Sequence, residues 1–304
     1  MRIRIPGKVH DGLWFLGREE SGAYLLEGTR EAMLISGGMG YLVPDVLQQM
    51  EDFGLESERI RKILILHAHF DHVGIIPYLK RLQPDIEVIA SKRGWEILST
   101  PKARKTINDF GRIVAERIGA LDVYENYDLD WRDDITGTVV GDGDRIDLGD
   151  TGVQVYETPG HSSCSISAYV PEMRALFPSD GGGIPFRQTI LSSGNSNYTK
   201  FQESLEKLKD VDVAYLCADH YGYVVGDEAR DYIGRSIKLA QEHRYLMEDC
   251  YLRTGSIDAA AKEMVDSFFA EYPDYFLSRE IFEGVYRQMV RHVALSMDSG
   301  RSER

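Results

Sequence analysis

Four groups able to ligate a metal lie within six residues at His67-Ala68-His69-Phe70-Asp71-His72. Imidazole nitrogen together with carboxylate oxygen suits zinc, iron or manganese better than calcium or magnesium, which prefer oxygen alone. On an extended strand residues i and i+2 point the same way, so His67 and His69 can grip one ion. Asp71 and His72 are neighbours and cannot both face that ion from a strand. A turn after Phe70 would swing them toward a second position. A histidine standing alone is usually a satisfied structural residue, and His10, His243 and His292 are read that way. That plain reading does not suit a cluster this dense.

The elements around these ligands have to bring them together. The apolar run Ile63-Leu64-Ile65-Leu66, directly before the cluster, reads as a buried strand. Val153-Gln154-Val155-Tyr156 is strand-like and is broken by Thr158-Pro159-Gly160, which presents His161 at its end. Arg174 to Pro178 is another short apolar run, closing on Ser179-Asp180 and three glycines. Val211 to Cys217 then runs into Ala218-Asp219-His220. Each candidate stands where a strand stops, the usual way for a rigid scaffold to display catalytic groups. Singly these residues mean little; in this order they reinforce one another.

The ordered set resembles the metallo-β-lactamase superfamily: an HxHxDH motif, a histidine after Pro-Gly, an aspartate after a strand and a final histidine. The resemblance covers roughly the first three quarters of the chain. It implies a first metal site at His67, His69 and His161, and a second at Asp71, His72 and His220, with Asp180 as the bridging carboxylate. Many members carry Asp at the end of an early strand, where it supports the ligand loop from behind the metals. Here Glu31-Ala32-Met33-Leu34-Ile35-Ser36-Gly37-Gly38 places Ser36, so metal affinity is expected to be tuned differently. The stretches His69 to Leu79 and Pro84 to Ser91 are similar to the quinolone-signal response proteins of pseudomonads. These are 2-aminobenzoylacetyl-CoA thioesterases of the same superfamily, in which C-terminal helices cover the active-site entrance.

The implied chemistry is hydrolysis of a small thioester or ester. Two divalent ions (zinc, iron or manganese) about 3.5–4 Å apart would share Asp180 and a water whose pKa falls to about 7. The resulting metal-bound hydroxide would attack the acyl carbon, with Asp71 orienting it or shuttling its proton. Tyr221 and Tyr223, just past His220, are candidates to hydrogen-bond the developing oxyanion, with ordinary aromatic packing the alternative for each. Ser162 and Cys164 are read as structural, since a metal hydroxide makes a protein nucleophile unnecessary. A lactonase of the same fold is the nearest alternative. A glyoxalase II-like role is disfavoured, because the C-terminal helices show no basic glutathione-binding cluster. From another class, the chain could be a regulatory, partner-binding protein whose hydrolase site is secondary.

Composition narrows the partners. At 304 residues and 43% apolar content, the chain is expected to be globular with a large core. A net charge of -14 argues against nucleic acid, because phosphate backbones require clustered Lys and Arg. Cys164, Cys217 and Cys250 are odd in number and widely spaced, so neither a disulfide framework nor a thiolate metal site is implied. No segment reaches membrane-spanning length and the N-terminus has no long apolar stretch, so a cytoplasmic location is expected. Lys102, Arg104, Lys105, Arg112 and Arg187 could meet the phosphates of coenzyme A, although scattered cations are usually solvated surface.

The chain reads in two regimes. Residues 1–225 alternate short β-like runs with helical patterns, which suggests an α/β, four-layer αββα sandwich with ligands at one rim. Strands are expected at Leu13–Leu16, Ala23–Leu26, Met33–Ile35 and Glu87–Ala90. Helices are expected over Asp45–Phe53 and Val73–Leu82, with a helical insertion near 93–132. Residues 226–304 read as additional C-terminal helices forming a cap. Ala229, Ile233, Ile237 and Ala240 stripe the first. Ser256 is an N-cap for Ile257–Ala270, and Ile281, Val285, Met289 and Val293 stripe the last. The stripes read as core packing, with a homodimer or other partner the alternative.

Overall fold

Strand signals in the first three quarters of the chain become two seven-stranded sheets in the computed structural model, which describes residues 1–275 and 277–302. In chain order the strands are β1 (Arg2–Ile3), β2 (Gly7–His10), β3 (Leu13–Arg18), β4 (Ser21–Glu27), β5 (Ala32–Ile35), β6 (Ile60–Leu64) and β7 (Glu87–Ser91). They continue as β8 (Gly137–Val140), β9 (Arg145–Asp147), β10 (Gly152–Glu157), β11 (Ile166–Val170), β12 (Ala175–Phe177), β13 (Tyr215–Cys217) and β14 (Tyr223–Val225). One sheet runs β2-β3-β4-β5-β6-β7-β8 and the other β1-β14-β13-β12-β11-β10-β9. The expected meander is β3 to β5, antiparallel throughout, whereas β5 to β8 pair in parallel. Parallel strands are covered on both faces, which is why Ile63 to Leu66 is apolar at every position and not at alternate ones. Inward-facing Phe15, Tyr24, Leu64, Leu66, Val155, Ile166 and Phe177 belong to one core cluster. Each such side chain contributes about 1.5–3 kcal/mol by leaving water.

Contacts divide the chain into two compact units. The first holds Met1–Glu157, Cys164–Asp180 and Asp212–Asp231; the second holds Thr158–Ser163, Gly181–Val211 and Tyr232–Arg304. Both sheets lie in the first unit, with helices α1 (Val43–Asp52), α2 (Ile76–Leu82), α3 (Lys92–Leu98), α4 (Pro101–Arg117) and α5 (Leu121–Asn126). The helix expected from Val73 starts only at Ile76, with Pro77 in its first turn. The amides of Gly74 and Ile75 instead donate to the carbonyls of Gly38 and Gly37, while Gly37 N donates to His72 O. That approach requires glycine: a Cβ on Gly74 would lie 2.1 Å from Gly40 N. The insertion forms α3 to α5 and returns through Trp131, whose indole Nε1–H donates to Val73 O at 3.0 Å. The loop carrying the ligands is therefore gripped from both sides.

In the second unit, α6 (Tyr198–Leu208) packs with the first and last of the three long helices that follow the short α7 (Asp227–Arg230) of the first unit. These are α8 (Tyr232–Thr254), α9 (Ile257–Glu271) and α10 (Arg279–Ser302). Gly255 at φ 64 ends α8, and Ser256 caps α9 by accepting from Ala259 N, as its position in the sequence implies. Residues 181–211 thus group with the C-terminal helices, so the grouping by contact does not follow a single cut near 225. The cause is local: Tyr198 Oη donates to Ala240 O at 2.9 Å, and Arg244 reaches both Gln202 and Ser296.

Candidate metal centre

Strand β6 ends at Leu64, yet the backbone keeps bonding for two more residues. Ile65 N donates to Ile89 O in the same sheet, and Leu66 O accepts from Ile166 N in the other sheet. The chain is thereby fixed at the sandwich edge just before His67. A 3-10 turn over Phe70–His72 follows, with His72 N donating to His69 O. The turn expected after Phe70 thus begins one residue earlier, and it brings Asp71 and His72 to the same place. Asp180 arrives from the end of β12 and His220 from the turn between β13 and β14.

Four of the expected ligands surround one small space. His72 Nε2 lies 3.5 Å from Asp180 Oδ2 and 3.6 Å from Asp71 Oδ2. His220 Nε2 lies 3.3 Å from His72 Nε2, 3.5 Å from Asp71 Oδ2 and 3.7 Å from Asp180 Oδ1. These distances are long for hydrogen bonds. For Asp71, His72 and His220 they are close to the separation of about 3.3–3.6 Å expected between ligand atoms around an ion with arms of about 2.0–2.2 Å. Next to this group, His67 Nε2 and His69 Nδ1 lie 3.1 Å apart.

The imidazoles are also oriented for the purpose. Metal-ligating histidines normally use their second ring nitrogen to donate to a fixed acceptor. His72 Nδ1–H donates to Asp219 Oδ2 at 2.9 Å, and His220 Nδ1–H donates to Glu20 O at 2.6 Å. His67 Nδ1 lies 3.0 Å from Ser179 Oγ. In the second unit, His161 Nδ1–H donates to Ser193 O at 2.8 Å. Each of these rings keeps Nε2 for another partner. Asp219, Ser179, Glu20 and the Ser21 hydroxyl, which donates to Asp71 O at 3.3 Å, carried no role in the sequence reading. Adjacency to Asp180 and His220 could have flagged Ser179 and Asp219. Nothing in the sequence places Glu20 and Ser21 here, since they come from the β3–β4 turn and the start of β4.

Electrostatics agree with a site built for cations. Burial alone would raise the Asp71 carboxyl, but neighbouring His72 and His220 hold it below the usual carboxylate range. Burial opposes charge on His72, yet Asp71 and Asp180 raise its imidazole well above the ordinary value. Burial likewise opposes charge on His220, which Asp180 and Asp71 carry up to about 9. Packed carboxylates thus hold protons on the imidazoles until another cation takes their place. The donor set fits a divalent metal.

The remaining expectations fare differently. Tyr223 lies in the sandwich core against Phe15, with its hydroxyl 3.5 Å from Lys8 O, so its phenol faces a backbone carbonyl and not the ligand cluster. Tyr221 adopts φ 61, donates its amide to Glu19 O at 2.6 Å and lays its ring beneath Arg4. Of the cations considered for phosphate, Lys105 pairs with Asp109, Arg112 with Asp130 and Arg187 with Asp274. Arg104 donates to the carbonyls of Leu98 and Ser99. Among the described residues, no helix is long and apolar enough to cross a membrane.

Comparison with known proteins reaches the same family. The Metallo-beta-lactamase superfamily profile matches residues 16–220, more than half of the chain. A metallo-beta-lactamase family protein from Thermus thermophilus superposes with a TM-score of 0.67 at 16% identity, covering 96% of this chain and 95% of that one. The atrochrysone carboxyl ACP thioesterase of Aspergillus fumigatus is 23% identical over 62% of this chain and 45% of its own length. Ribonuclease J of Mycolicibacterium smegmatis is 42% identical over 55 residues, 18% of this chain, and the chain spans only 9% of that relative's length. Sandwich, ligand geometry and sequence profile converge: the chain belongs to the metallo-beta-lactamase superfamily.

Proposed function

We propose that this protein is a metal-dependent hydrolase of small thioesters or esters. In this reading His67, His69 and His161 hold one divalent ion, Asp71, His72 and His220 hold a second, and Asp180 serves both. The observation that carries it is the convergence of Asp71, His72 and His220 with Asp180 beside them, His72 Nε2 and His220 Nε2 lying 3.3–3.7 Å from one another and from both carboxylates, a spacing suited to holding an ion. Zinc, iron or manganese bound there would supply a Lewis acid and an acidified water at neutral pH. The chain's own part is to place and ionise the groups around that water. Asp71, which ligates through one carboxylate oxygen in this reading, keeps the other to orient a water and shuttle its proton. His72 and His220 are locked by Asp219 and by Glu20 O, so neither ring has to reorganise during reaction. Tyr223, packed in the core, takes no part, while Tyr221 stays the candidate to hydrogen-bond the developing oxyanion.

The thioesterase among the relatives, and the likeness of His69 to Leu79 to the quinolone-signal response thioesterases, favour an acyl thioester over other substrates. A lactone presents the same acyl carbon and is the second choice. A phosphodiester chain is disfavoured by the net charge of -14, and the ribonuclease likeness is confined to 55 residues. A partner-binding role finds support in Tyr245, Leu246 and Leu252 of α8, all more than half exposed. The test is hydrolysis of a panel of acyl-CoA thioesters, simple thioesters, lactones and a phosphodiester by chelated and metal-reloaded protein. Thioester or ester turnover lost on chelation and restored by zinc, iron or manganese is expected. Turnover insensitive to chelation would overturn the reading, and so would a biological effect that an Asp71→Asn protein provides in full.

A further inference from the structure

We propose that Asp219 and Ser179 form one positioning relay that orients a histidine of each metal position, so that the two positions share a single outer carboxylate. This rests on the metal-dependent reading above. The hydrogen bonds run in one line. Ser179 has one hydroxyl proton, and it goes to Asp219 Oδ2 at 2.5 Å. The His67 contact at Ser179 Oγ must then be donated by the ring, as Nδ1–H, over 3.0 Å. His72 Nδ1–H donates to the same Asp219 oxygen at 2.9 Å. Both rings are left with Nε2 as the lone-pair nitrogen. His67 faces the His69 side and His72 faces the Asp71, Asp180 and His220 side.

The arrangement is retained against visible costs. Asp219 is 2% exposed, and its Oδ1 has no hydrogen-bond partner, so the buried carboxylate works through one oxygen. Ser179 is buried at φ 50, a left-handed backbone that a non-glycine residue rarely adopts. Strain and half-satisfied charge held together beside ligands point to a role there. Direct ligation by Asp219 is the competing geometry, because His67, His72 and Asp219 also offer atoms close enough to hold an ion. An ion there would have to displace the Nδ1–H and O–H protons that Asp219 and Ser179 already engage, and would leave the Nε2 cluster unserved. Ser36 supplies an independent sign. At the end of β5, where the family resemblance places a supporting aspartate, its hydroxyl is buried and has no hydrogen-bond partner.

The order of the relay gives an asymmetric test. Zinc affinity is measured by competition with a chromophoric chelator, and the two positions are followed by the visible spectrum of cobalt-substituted protein. Asp219→Asn removes the shared acceptor charge and is expected to weaken both positions by about ten- to hundredfold. Ser179→Ala cuts only the branch to His67, so one component should weaken and the other keep wild-type affinity. Ser179→Gly is the folding control: glycine relieves the positive φ, so this variant should melt no earlier than wild type while showing the same one-sided loss. Wild-type affinity and spectrum in Asp219→Asn, or equal loss at both positions in Ser179→Gly, would overturn the relay. Wild-type protein that binds no ion would instead overturn the hydrolase reading, which keeps the two failures distinct.

Discussion

His243 on α8 ties acid stability to the helical unit. Its Nδ1 lies 3.2 Å from Tyr198 Oη and its Nε2 lies 3.2 Å from Tyr286 Oη. Tyr198 spends its hydroxyl proton on Ala240 O, so His243 donates from Nδ1 and accepts from Tyr286 at Nε2, which requires a neutral ring. Burial pushes the imidazole from its ordinary 6.5 down to about 4. A folded value below the unfolded one means that the unfolded chain takes up the proton first. The stability tied to neutral His243 is therefore complete above pH 6.5 and is lost progressively as pH falls toward 4. Linkage between these two values gives a loss of about 2 kcal/mol at about pH 5, and about 3.4 kcal/mol once both states are protonated. The assay is urea unfolding of metal-free wild type and His243→Gln at about pH 8 and pH 5. Glutamine can bond both tyrosines but does not titrate, and every other ionisable group is common to both proteins. Wild type should lose about 2 kcal/mol more than the variant on acidification. Equal losses would refute the argument that desolvation of this ring sets its charge.

Metal loading should also improve as pH rises, for a different reason. His220 holds a proton up to about 9 in the metal-free site, so an incoming ion must expel it. Apparent affinity should rise about tenfold per pH unit for each displaced proton between neutrality and that value, then level off. Calorimetry in buffers of different ionisation heat counts those protons; zero release at neutral pH would contradict the charge arrangement. Gly74→Ala would force a Cβ to 2.1 Å from Gly40 N and 2.7 Å from Met39 C. Because both obstacles are backbone, a loss on the order of 3 kcal/mol is expected, with weakened metal binding, since His72 lies two residues away. A melting curve like wild type's would count against that close approach. Gly234→Ala meets nothing within 4 Å inside α8 and should stabilise by about 0.8 kcal/mol, read as a higher melting temperature.

Much of the sandwich and most ligand positions could be read from the chain itself. The unbroken apolar stretch Ile63 to Leu66 marks a strand covered on both faces, and spacing alone separates His67 and His69 from Asp71 and His72. Pro159-Gly160 and the glycines after Asp180 mark where strands stop. The helix limits were less legible. Val73 to Ile75 carry an apolar pattern, but their backbone amides find carbonyls across a glycine contact and leave the helix to start at Ile76. Periodicity reports which side chains seek the core; it cannot report which carbonyl an amide will meet.

The two tyrosines after His220 show the same division. Position in the sequence puts both beside a ligand, while strand alternation sends Tyr223 into the core and a left-handed backbone turns Tyr221 away from the strand path. Residue type and spacing decided which groups could bind metal, because ligand chemistry is a property of single side chains. Which nitrogen each imidazole offers was settled by Glu20, Ser179, Ser193 and Asp219, distant in the sequence from the rings they orient. Hydrogen bonds of that kind exist only after packing has brought donor and acceptor atoms from separate segments within about 3 Å, so no local pattern can encode them.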